Sequence, residues 1–547
     1  MCGRQKLQLF YCFISSYGRR GSRGLKSYVT RGEQTPPPVH AARGLCKTGS
    51  TSVWSSTKKV MGFLPFFSLE TWILLIAFVC LFVIYGYWTY GVFEKLGIPG
   101  PKPVMYWGTV ARYNKVYDIE CAQKYGRVWG MYELRRPMLA VMDPDMLKQI
   151  LVKECFTYFT NRRNLRLNGD LYDAVSTAED HQWRRIRNII SPFFTSGHIK
   201  ELFSIMKHHS HKLVLCLQSK VFFGPYSLDV MASCALSVDM DSINNPSSPF
   251  ITHATNLFRF SKLLFAFQGT ELLLTDTFFF ILSNLVKCYI SYIYSRRYLS
   301  CFQNLGDVLQ HMTNSQKASD SMNEKQKKGL TDHEIISQAT MFVFAGFETS
   351  ATTLVFVAYN LARNPDVMKR LLKEIDATFP NKAPVQYEAL MKMEYLDSVV
   401  TECLRLYPPI PRLERLAKET VQINGITIPK DMTVMIPVYA LHRDPELWPE
   451  PEVFKPDRFS KENKPHINPY TYLPFGAGPR NCLGTRFALV VVKLALVEVL
   501  QNFTFSVCEE TEIPLQMEAS AIIRPIRPIK LRLVARSTTS GNVDKCD

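Results

Sequence analysis

The 547-residue sequence contains no CxxC pair, and its 14 cysteines lie far apart without regular spacing. This pattern argues against a zinc ribbon and a disulfide framework and is typical of a domain kept in a reducing compartment. Hydrophobic residues make up 47% of the chain and charged residues 21%, which argues against intrinsic disorder and a polytopic membrane protein. We therefore expect most of the chain to fold as a globular body.

Acidic residues are almost absent from residues 1–60, which contain eleven basic residues and a single acidic one. The segment is rich in Arg, Ser and Gly, so we expect a basic low-complexity extension without a packed core. The whole chain carries a net charge of +17. No zinc-finger, basic-zipper or aromatic RNA-binding signature accompanies this charge, so nucleic acid is not an expected partner.

Long hydrophobic runs are also scarce, because only Thr71–Phe93 extends for 23 residues without a charge. A helix of that length spans about 34 Å, against a hydrocarbon core of about 30 Å. Trp72 and Trp88 lie near its ends, where tryptophan favours the membrane interface. We therefore predict a membrane anchor over residues 61–93 with a single transmembrane helix; a buried core helix is the alternative.

Three prolines between Ile98 and Pro103 predict a stiff, extended hinge over residues 94–103. No second linker or repeat follows, so residues 104–536 are expected to form one catalytic domain, with a tail at 537–547.

Helical periodicity dominates this domain, and we predict a mainly α fold with small β-sheets. Thr331 and Glu334 form a capping box that predicts a helix from Thr331 to Ala362. Alternating segments predict strands at Arg127–Val141, Val421–Ile428 and Thr433–Val438.

The strongest chemical signal is the segment Phe475–Gly484, FGAGPRNCLG, which leads into an apolar helix. Its glycines allow a tight loop with backbone N–H groups turned toward the Cys482 sulfur, and the helix offers its positive end to the same atom. We expect Cys482 to be a thiolate. No cysteine or histidine nearby completes a zinc site, so a single axial ligand to a haem iron is the natural use. A buried structural cysteine is the alternative.

This loop resembles the haem-binding signature of the cytochrome P450 family of haem-thiolate monooxygenases. Glu402–Arg405 (ECLR) and Pro456–Phe459 (PDRF) resemble two further family elements, the second with Asp in place of the usual Glu. The resemblance implies the cytochrome P450 fold and haem b as cofactor. It also implies a buried charge network of Glu402, Arg405 and Arg458.

A further match is Ala345–Ser350 (AGFETS), in the middle of the predicted long helix. Gly346 costs about 1 kcal/mol in a helix interior, and Thr349 can bond its own helix backbone, so we expect a local opening. In the family this element lies over the haem. The resemblance implies that Thr349 and Glu348 are catalytic, with Thr349 beside the reacting oxygen and Glu348 relaying protons from solvent. The alternative is a tolerated glycine beside a surface glutamate.

Haem also carries two propionates, which require cations or hydrogen-bond donors. Trp183 and Arg187 match the family pattern WxxxR and lie one helical turn apart on one face. Arg480 lies inside the Cys482 loop and is a third donor. Arg162 and Arg415 join this set through the local resemblance of FTNRR and RLER to one branch of the family, and Phe475 opens the loop itself.

That branch is the third family of microsomal enzymes, which oxidise drugs, steroids and other bulky lipophiles. The resemblance implies an unspecific monooxygenase that inserts one atom of O₂ into such substrates. Since the chain lacks a flavin or nicotinamide fingerprint, electrons are expected from NADPH-cytochrome P450 reductase, with cytochrome b5 as a second candidate partner. The basic residues expected to dock the acidic flavoprotein are Arg184, Arg185 and Lys464.

Two alternative functions remain at this point. One is a haem-thiolate peroxide isomerase resembling thromboxane synthase, although such enzymes lack the distal alcohol that Thr349 supplies here. The other is a non-catalytic haem-binding protein. Residues 250–280 also allow two interpretations, because their eight phenylalanines suit either a packed core or a lipid-facing substrate entrance.

The charges around the hydrophobic run predict how the chain is oriented. Residues 1–60 would hold the N-terminus in the cytosol by the positive-inside rule and place the body in the lumen. If translation begins at Met61, only Glu70 precedes the run, while Lys95 and Lys102 follow it. We therefore expect an enzyme that begins at or near Met61 and faces the cytosol from the endoplasmic reticulum. A mitochondrial location, suggested by the composition of residues 1–60, is the alternative.

Overall fold

The structure is a computed structural model that describes residues 6–9, 69–109, 115–163, 172–217, 223–236, 239–245, 312, 314, 329–518 and 522–536. The phenylalanine-rich segment 250–280 lies outside the described residues. Two compact units divide the described chain, one containing residues 69–88 and the other containing 6–9 and the residues from Thr89 onward.

The smaller unit is helix α1 (Leu69–Tyr87), whose apolar side chains are exposed around its circumference. Ile73, Phe78 and Leu81 are between 58% and 67% exposed, as suits a helix surrounded by lipid. The sequence predicts an uncharged run to Phe93, but the helix ends earlier, and Gly91 takes a left-handed conformation at φ 105°. Phe93 is buried in the core of the other unit.

The larger unit is mostly helical, as predicted. Its helices are α2 (Val92–Lys95), α3 (Lys115–Tyr125), α4 (Pro144–Lys148), α5 (Asp180–Ile190), α6 (Ser196–Glu201), α7 (Phe203–Cys216), α8 (Phe223–Leu236), α9 (Asp332–Arg363), α10 (Pro365–Thr378), α11 (Tyr387–Met391), α12 (Glu394–Leu406), α13 (Val438–Leu441) and α14 (Thr485–Asn502). A π-helical turn covers Gln149–Lys153, and short 3₁₀ turns cover Ser191–Phe194, Pro380–Lys382, Pro456–Phe459 and Lys464–His466.

Among the described residues, the strands form three small sheets. The strands are β1 (Lys6–Leu9), β2 (Val128–Glu133), β3 (Arg136–Val141), β4 (Leu413–Leu416), β5 (Val421–Ile423), β6 (Ile426–Ile428), β7 (Thr433–Ile436), β8 (Phe503–Ser506) and β9 (Ile529–Ala535). The four-stranded sheet has the order β2-β3-β7-β4, with β3 and β7 parallel and the other pairs antiparallel. The predicted strands are therefore confirmed, and Val421–Ile428 forms the β5-β6 hairpin.

The strand β1 falls within the extension for which the sequence predicts no packed core. It pairs antiparallel with β9, with Leu7 opposite Leu531, at the edge of the three-stranded sheet. Its four residues alternate polar and apolar, but so short a segment gives little periodic signal, which is why the composition did not indicate it.

The 32-residue helix α9 runs through the main hydrophobic core. Its capping box is confirmed, because the Thr331 hydroxyl accepts from the Glu334 N–H while the Glu334 carboxylate accepts from the Thr331 N–H. α9 and α1 are both long and apolar enough to cross a membrane, but most of the α9 residues are buried inside the protein. Gly346 permits the close crossing of α8, since a Cβ there would lie 2.8 Å from the Met231 sulfur.

A fully buried ion pair joins Glu402 and Arg405 on α12. Arg405 donates from Nε and Nη2 to the two Glu402 carboxylate oxygens at 2.7 and 2.9 Å, and Arg458 Nε donates to the same carboxylate at 3.3 Å. The remaining Arg405 hydrogen bonds go to the carbonyls of His442, Pro451 and Val453. The structure thus brings together the three residues named as a charge network.

His442 extends this network toward the Cys482 loop. Burial lowers its pKa to about 3, so the ring is neutral. Nε2 accepts a hydrogen bond from the Leu473 N–H at 2.8 Å, which leaves the proton on Nδ1 to be donated to the Arg405 carbonyl at 3.0 Å. The segment that precedes the loop is therefore bonded to α12 through a single imidazole.

Replacing Arg405 by leucine leaves the Glu402 carboxylate buried without its main partner. We expect the free energy of unfolding to fall by about 3–5 kcal/mol, measured by urea denaturation of the full chain in detergent. Arg370→Leu is the matched control, because Arg370 pairs with Asp457 at 2.7 Å on the surface. That variant should lose about 0–1 kcal/mol. Equal losses in the two variants would contradict the structural role of the network.

Candidate active site

The Cys482 loop is closed by its own backbone. The Cys482 N–H donates to the Phe475 carbonyl at 2.8 Å, and the Asn481 N–H donates to the Gly478 carbonyl at 3.0 Å. Gly478 has φ +71°, and a Cβ at this position would lie 1.9 Å from the Leu151 carbonyl oxygen. Glycine is therefore required both for the turn and for the close approach of the loop to the π-helical turn.

The Cys482 residue is accessible to solvent, although its sulfur has many protein atoms around it. Burial raises the pKa of its thiol above the ordinary value. The Gly484 N–H, the Thr485 hydroxyl and the cations of Arg187 and Arg162 act in the opposite direction. In the protein alone burial prevails, which differs from the thiolate predicted from the loop. A coordinated metal cation would supply the additional positive charge needed to deprotonate the sulfur.

Arginine side chains converge on the same loop. Arg187 donates from Nη1 to the Asn481 carbonyl and from Nη2 to its Oδ1, both at 2.9 Å. Arg162 donates to the Arg480 carbonyl at 3.3 Å. The Arg480 guanidinium lies 4.4 Å from the centre of the Trp183 ring. The predicted residues from three distant segments, namely Arg162, the helix with Trp183 and Arg187, and the loop with Arg480, thus meet here. Asn481 is a further contact that sequence analysis missed although it lies inside the motif.

Neither an ion pair nor a carboxylate hydrogen bond compensates these cations among the residues described. Burial together with the charge of Arg162 lowers the pKa of both Arg415 and Arg480 to about 9. The Nε atoms of Arg415 and Arg480 are buried without a hydrogen-bond partner. A cluster of this kind needs an anionic ligand, and a single cysteine sulfur beside several buried guanidinium groups fits a haem with two propionates.

The helix α9 lines a pocket that it shares with the start of the Cys482 loop. Thr349 and Phe475 line one small apolar pocket that is partly open to solvent, together with Ser350, Thr353, Val400, Leu404, Pro409, Ala488, Leu489 and Val492. Thr349 Oγ1 donates to the Ala345 carbonyl at 2.5 Å, so the hydroxyl bonds its own helix backbone as expected. Phe475 at the start of the Cys482 loop and Thr349 of α9 therefore line a common space.

Glu348 is buried, so it is not the surface glutamate of the alternative interpretation, and a cation from a distant segment lies beside it. Its Oε1 lies 3.9 Å from Arg524 Nη1, and Arg524 Nε donates to the Glu518 carboxylate. Arg524 is 5% exposed. Sequence analysis missed Arg524 because no spacing links it to Glu348 and its neighbourhood matches no quoted motif.

The basic residues predicted for docking have unequal surroundings. Arg184 is exposed, and its guanidinium lies 4.7 Å from the centre of the Phe156 ring. Lys464 is also exposed, although it pairs with Asp397 at 3.2 Å. Arg185 donates to the buried Glu334 carboxylate and to the Gly329 carbonyl, so it anchors the start of α9. Its side chain is still 31% exposed, and its place on a docking surface remains a prediction.

Comparison with known proteins agrees with this geometry. The chain matches the Cytochrome P450 family model over residues 98–533. It is 55% identical over 507 residues to Cytochrome P450 3A27 of Oncorhynchus mykiss, which covers 88% of this chain and 98% of that protein. It is 54% identical over 510 residues to Cytochrome P450 3A40 of Oryzias latipes, covering 88% and 100%. Cytochrome P450 3A28 of Bos taurus is 47% identical over 499 residues, covering 87% and 98%. The site combines a cysteine loop and buried arginines with a threonine-bearing helix, in a chain that resembles these proteins over most of its length. The chain therefore belongs to the cytochrome P450 family of haem-thiolate monooxygenases.

Proposed function

We propose that this chain is a membrane-anchored monooxygenase of the 3A type that inserts one atom of O₂ into lipophilic substrates such as xenobiotics and steroids. The observation that carries the proposal is the pocket shared by Thr349 of α9 and Phe475 of the Cys482 loop. Its other walls are largely apolar side chains, including Val400 and Leu489. An apolar pocket favours hydrophobic substrates and excludes water from the reaction.

Haem b is the cofactor that this site is proposed to hold. Cys482 would be the axial ligand, and the proposed donors to the propionates are Trp183, Arg187, Arg480, Arg162 and Arg415. The bound haem would supply the oxygen-activating and electron-transfer chemistry. The protein would supply the thiolate, the counter-charges and the apolar enclosure.

Proton supply is the role proposed for Thr349 and Glu348. The Thr349 hydroxyl at the pocket wall can donate a proton into the pocket and recover one from the protein side. Glu348 is a buried carboxylate on the adjacent residue and would deliver that proton. The presence of this pair favours a monooxygenase over a peroxide isomerase, because a rearrangement of peroxide needs no external protons.

Electrons are proposed to come from NADPH-cytochrome P450 reductase, with cytochrome b5 as a second partner. The exposed cations Arg184 and Lys464 are retained as docking residues for an acidic flavoprotein surface. Charge complementarity of this kind would mainly raise the association rate and would weaken with salt. The proposed location is the endoplasmic reticulum membrane with the catalytic domain in the cytosol.

Replacing Cys482 by serine or histidine should abolish the red-shifted Soret band of the reduced carbonyl complex, because that band requires a sulfur ligand to the haem iron. Cys216→Ser is the control, since Cys216 is a partly exposed cysteine on α7. The control should keep the band, as measured by difference spectroscopy of the purified proteins. A thiolate-type spectrum that persists in either Cys482 variant would refute the ligand assignment.

Wild-type protein with reductase and NADPH should form hydroxylated products from a panel of lipophiles, whereas Thr349→Ala should retain haem but lose coupling. We expect the product formed per NADPH to fall by about tenfold, less than the roughly 10²–10⁴-fold effect of a full proton-transfer group because water replaces part of the path. Thr349→Ser keeps the hydroxyl and should remain coupled. Unchanged coupling in Thr349→Ala would remove the proton-supply role, and a wild-type protein without product would remove the proposed function.

The native microsomal protein should begin at or near Met61 and expose its catalytic domain to the cytosol, because Lys95 and Lys102 would then be the nearest cations flanking the span. Such a chain lacks β1, and β9 then forms the edge of its sheet. N-terminal sequencing tests the start, and protease protection of intact microsomes tests the side. Recovery of a mature chain that includes residues before Met61, or a catalytic domain shielded from external protease, would overturn this orientation.

A further inference from the structure

We propose that Arg524 is a positioning residue that holds the Glu348 carboxylate in its charged, oriented form and thereby sets how efficiently protons reach Thr349. The inference deepens the proposed function and rests on it. Arg524 lies 176 residues from Glu348 in the sequence and belongs to no element assigned to the site so far.

The backbone around Arg524 is fixed on both sides. The Glu518 N–H donates to the Arg524 carbonyl at 2.9 Å, and the Ile526 N–H donates to the Gln516 carbonyl at 2.8 Å. The Ile523 N–H donates to the carbonyl of Pro409, a residue that lines the Thr349 pocket. Because these bonds hold the chain at Arg524, the guanidinium is presented to α9 from a defined position.

The guanidinium is shared between two carboxylates. Its Nε donates to Glu518, whose side chain is 30% exposed, and its Nη1 lies 3.9 Å from Glu348 Oε1. The side chains of Arg524 and Glu348 are only 6% and 8% exposed. The closer contact with Glu518 anchors one edge of the planar group, so that the other edge faces Glu348.

A charge buried in this way requires compensation, and the cation at Arg524 provides it for Glu348. An arginine side chain stays protonated in proteins, so Arg524 does not itself transfer protons. Glu348 takes a proton from water and passes it toward the Thr349 hydroxyl, returning to a carboxylate each time. Arg524 keeps its own charge throughout and determines the position of that carboxylate.

The position of the carboxylate matters because Glu348 and Thr349 are adjacent on one helix. Successive side chains on a helix are turned by about 100°, so the carboxylate does not lie directly over the pocket that Thr349 lines. Without Arg524, Glu348 would lose the cation 3.9 Å from its Oε1, so that its carboxylate is less well oriented or becomes neutral. Either change lowers the fraction of turnovers in which a proton arrives in time.

The test measures product per NADPH in the haem-loaded, full-length enzyme with reductase. Arg524→Gln removes the charge and should lower coupling by about tenfold, as in Glu348→Gln, since both remove the same proton supply. Arg524→Lys keeps the charge and should restore most of the coupling. The matched control is Arg527→Gln, which removes an equal charge from an exposed position on the same segment and should behave as wild type.

A second readout does not depend on turnover. Free energies of unfolding, measured with urea for the two single variants and for the double variant Arg524→Gln/Glu348→Gln, form a double-mutant cycle. If the two residues interact, the double variant should lose less stability than the sum of the two single losses. Additive losses would overturn the pairing. If Arg524→Gln forms as much product per NADPH as the wild type, the positioning role is overturned. These outcomes are distinct from failure of the proposed function, in which the wild-type enzyme itself forms no product.

Discussion

Crowding of positive charge around one sulfur is the constraint on which the site depends. Burial, and then the charge of Arg162, lowers the pKa of Arg415 and Arg480, and the described residues give the three arginines no ion pair or carboxylate hydrogen bond, although Asp180 and Glu414 lie near enough to act in the opposite direction. Such repulsion destabilises the protein until an anion binds among the guanidinium groups. An anionic cofactor therefore stabilises the folded state by the difference in its affinity for folded and unfolded chains. In the protein without such an anion, the contact of Arg480 with the Trp183 ring and hydrogen bonds to backbone carbonyls hold the cations in place.

The loop that carries the sulfur is held by two independent supports. Gly478 packs its backbone against Leu151, and Leu473 is bonded through His442 to the buried ion pair on α12. The ion pair is remote from the sulfur in sequence, yet its carbonyl partners and imidazole fix the residues that precede the loop. Stability and site geometry are thus joined in one hydrogen-bonded chain, and a change in the ion pair affects folding before it affects chemistry.

Much of the architecture follows from local patterns. The capping box at Thr331, the buried pattern of α9 and the alternating strands each reflect interactions within a few residues, and the structure confirms them. The end of α1 and the strand Lys6–Leu9 differ from expectation, because a left-handed glycine and edge pairing are decided outside the hydrophobic pattern. Arg185 has a partner that the sequence did not indicate, because Glu334 lies 149 residues away in the chain.

By itself, the sequence determined the family, the mainly helical class, the cysteine loop and the residue types gathered around it, since each depends on composition or on short, regular spacing. Only the tertiary structure decided which distant side chains meet. It brought Thr349 and Phe475 to one pocket, and it gave Glu348 a partner in Arg524. Contacts between segments more than a hundred residues apart depend on how whole helices and hairpins pack. The hydrophobic periodicity of the sequence does not predict such packing.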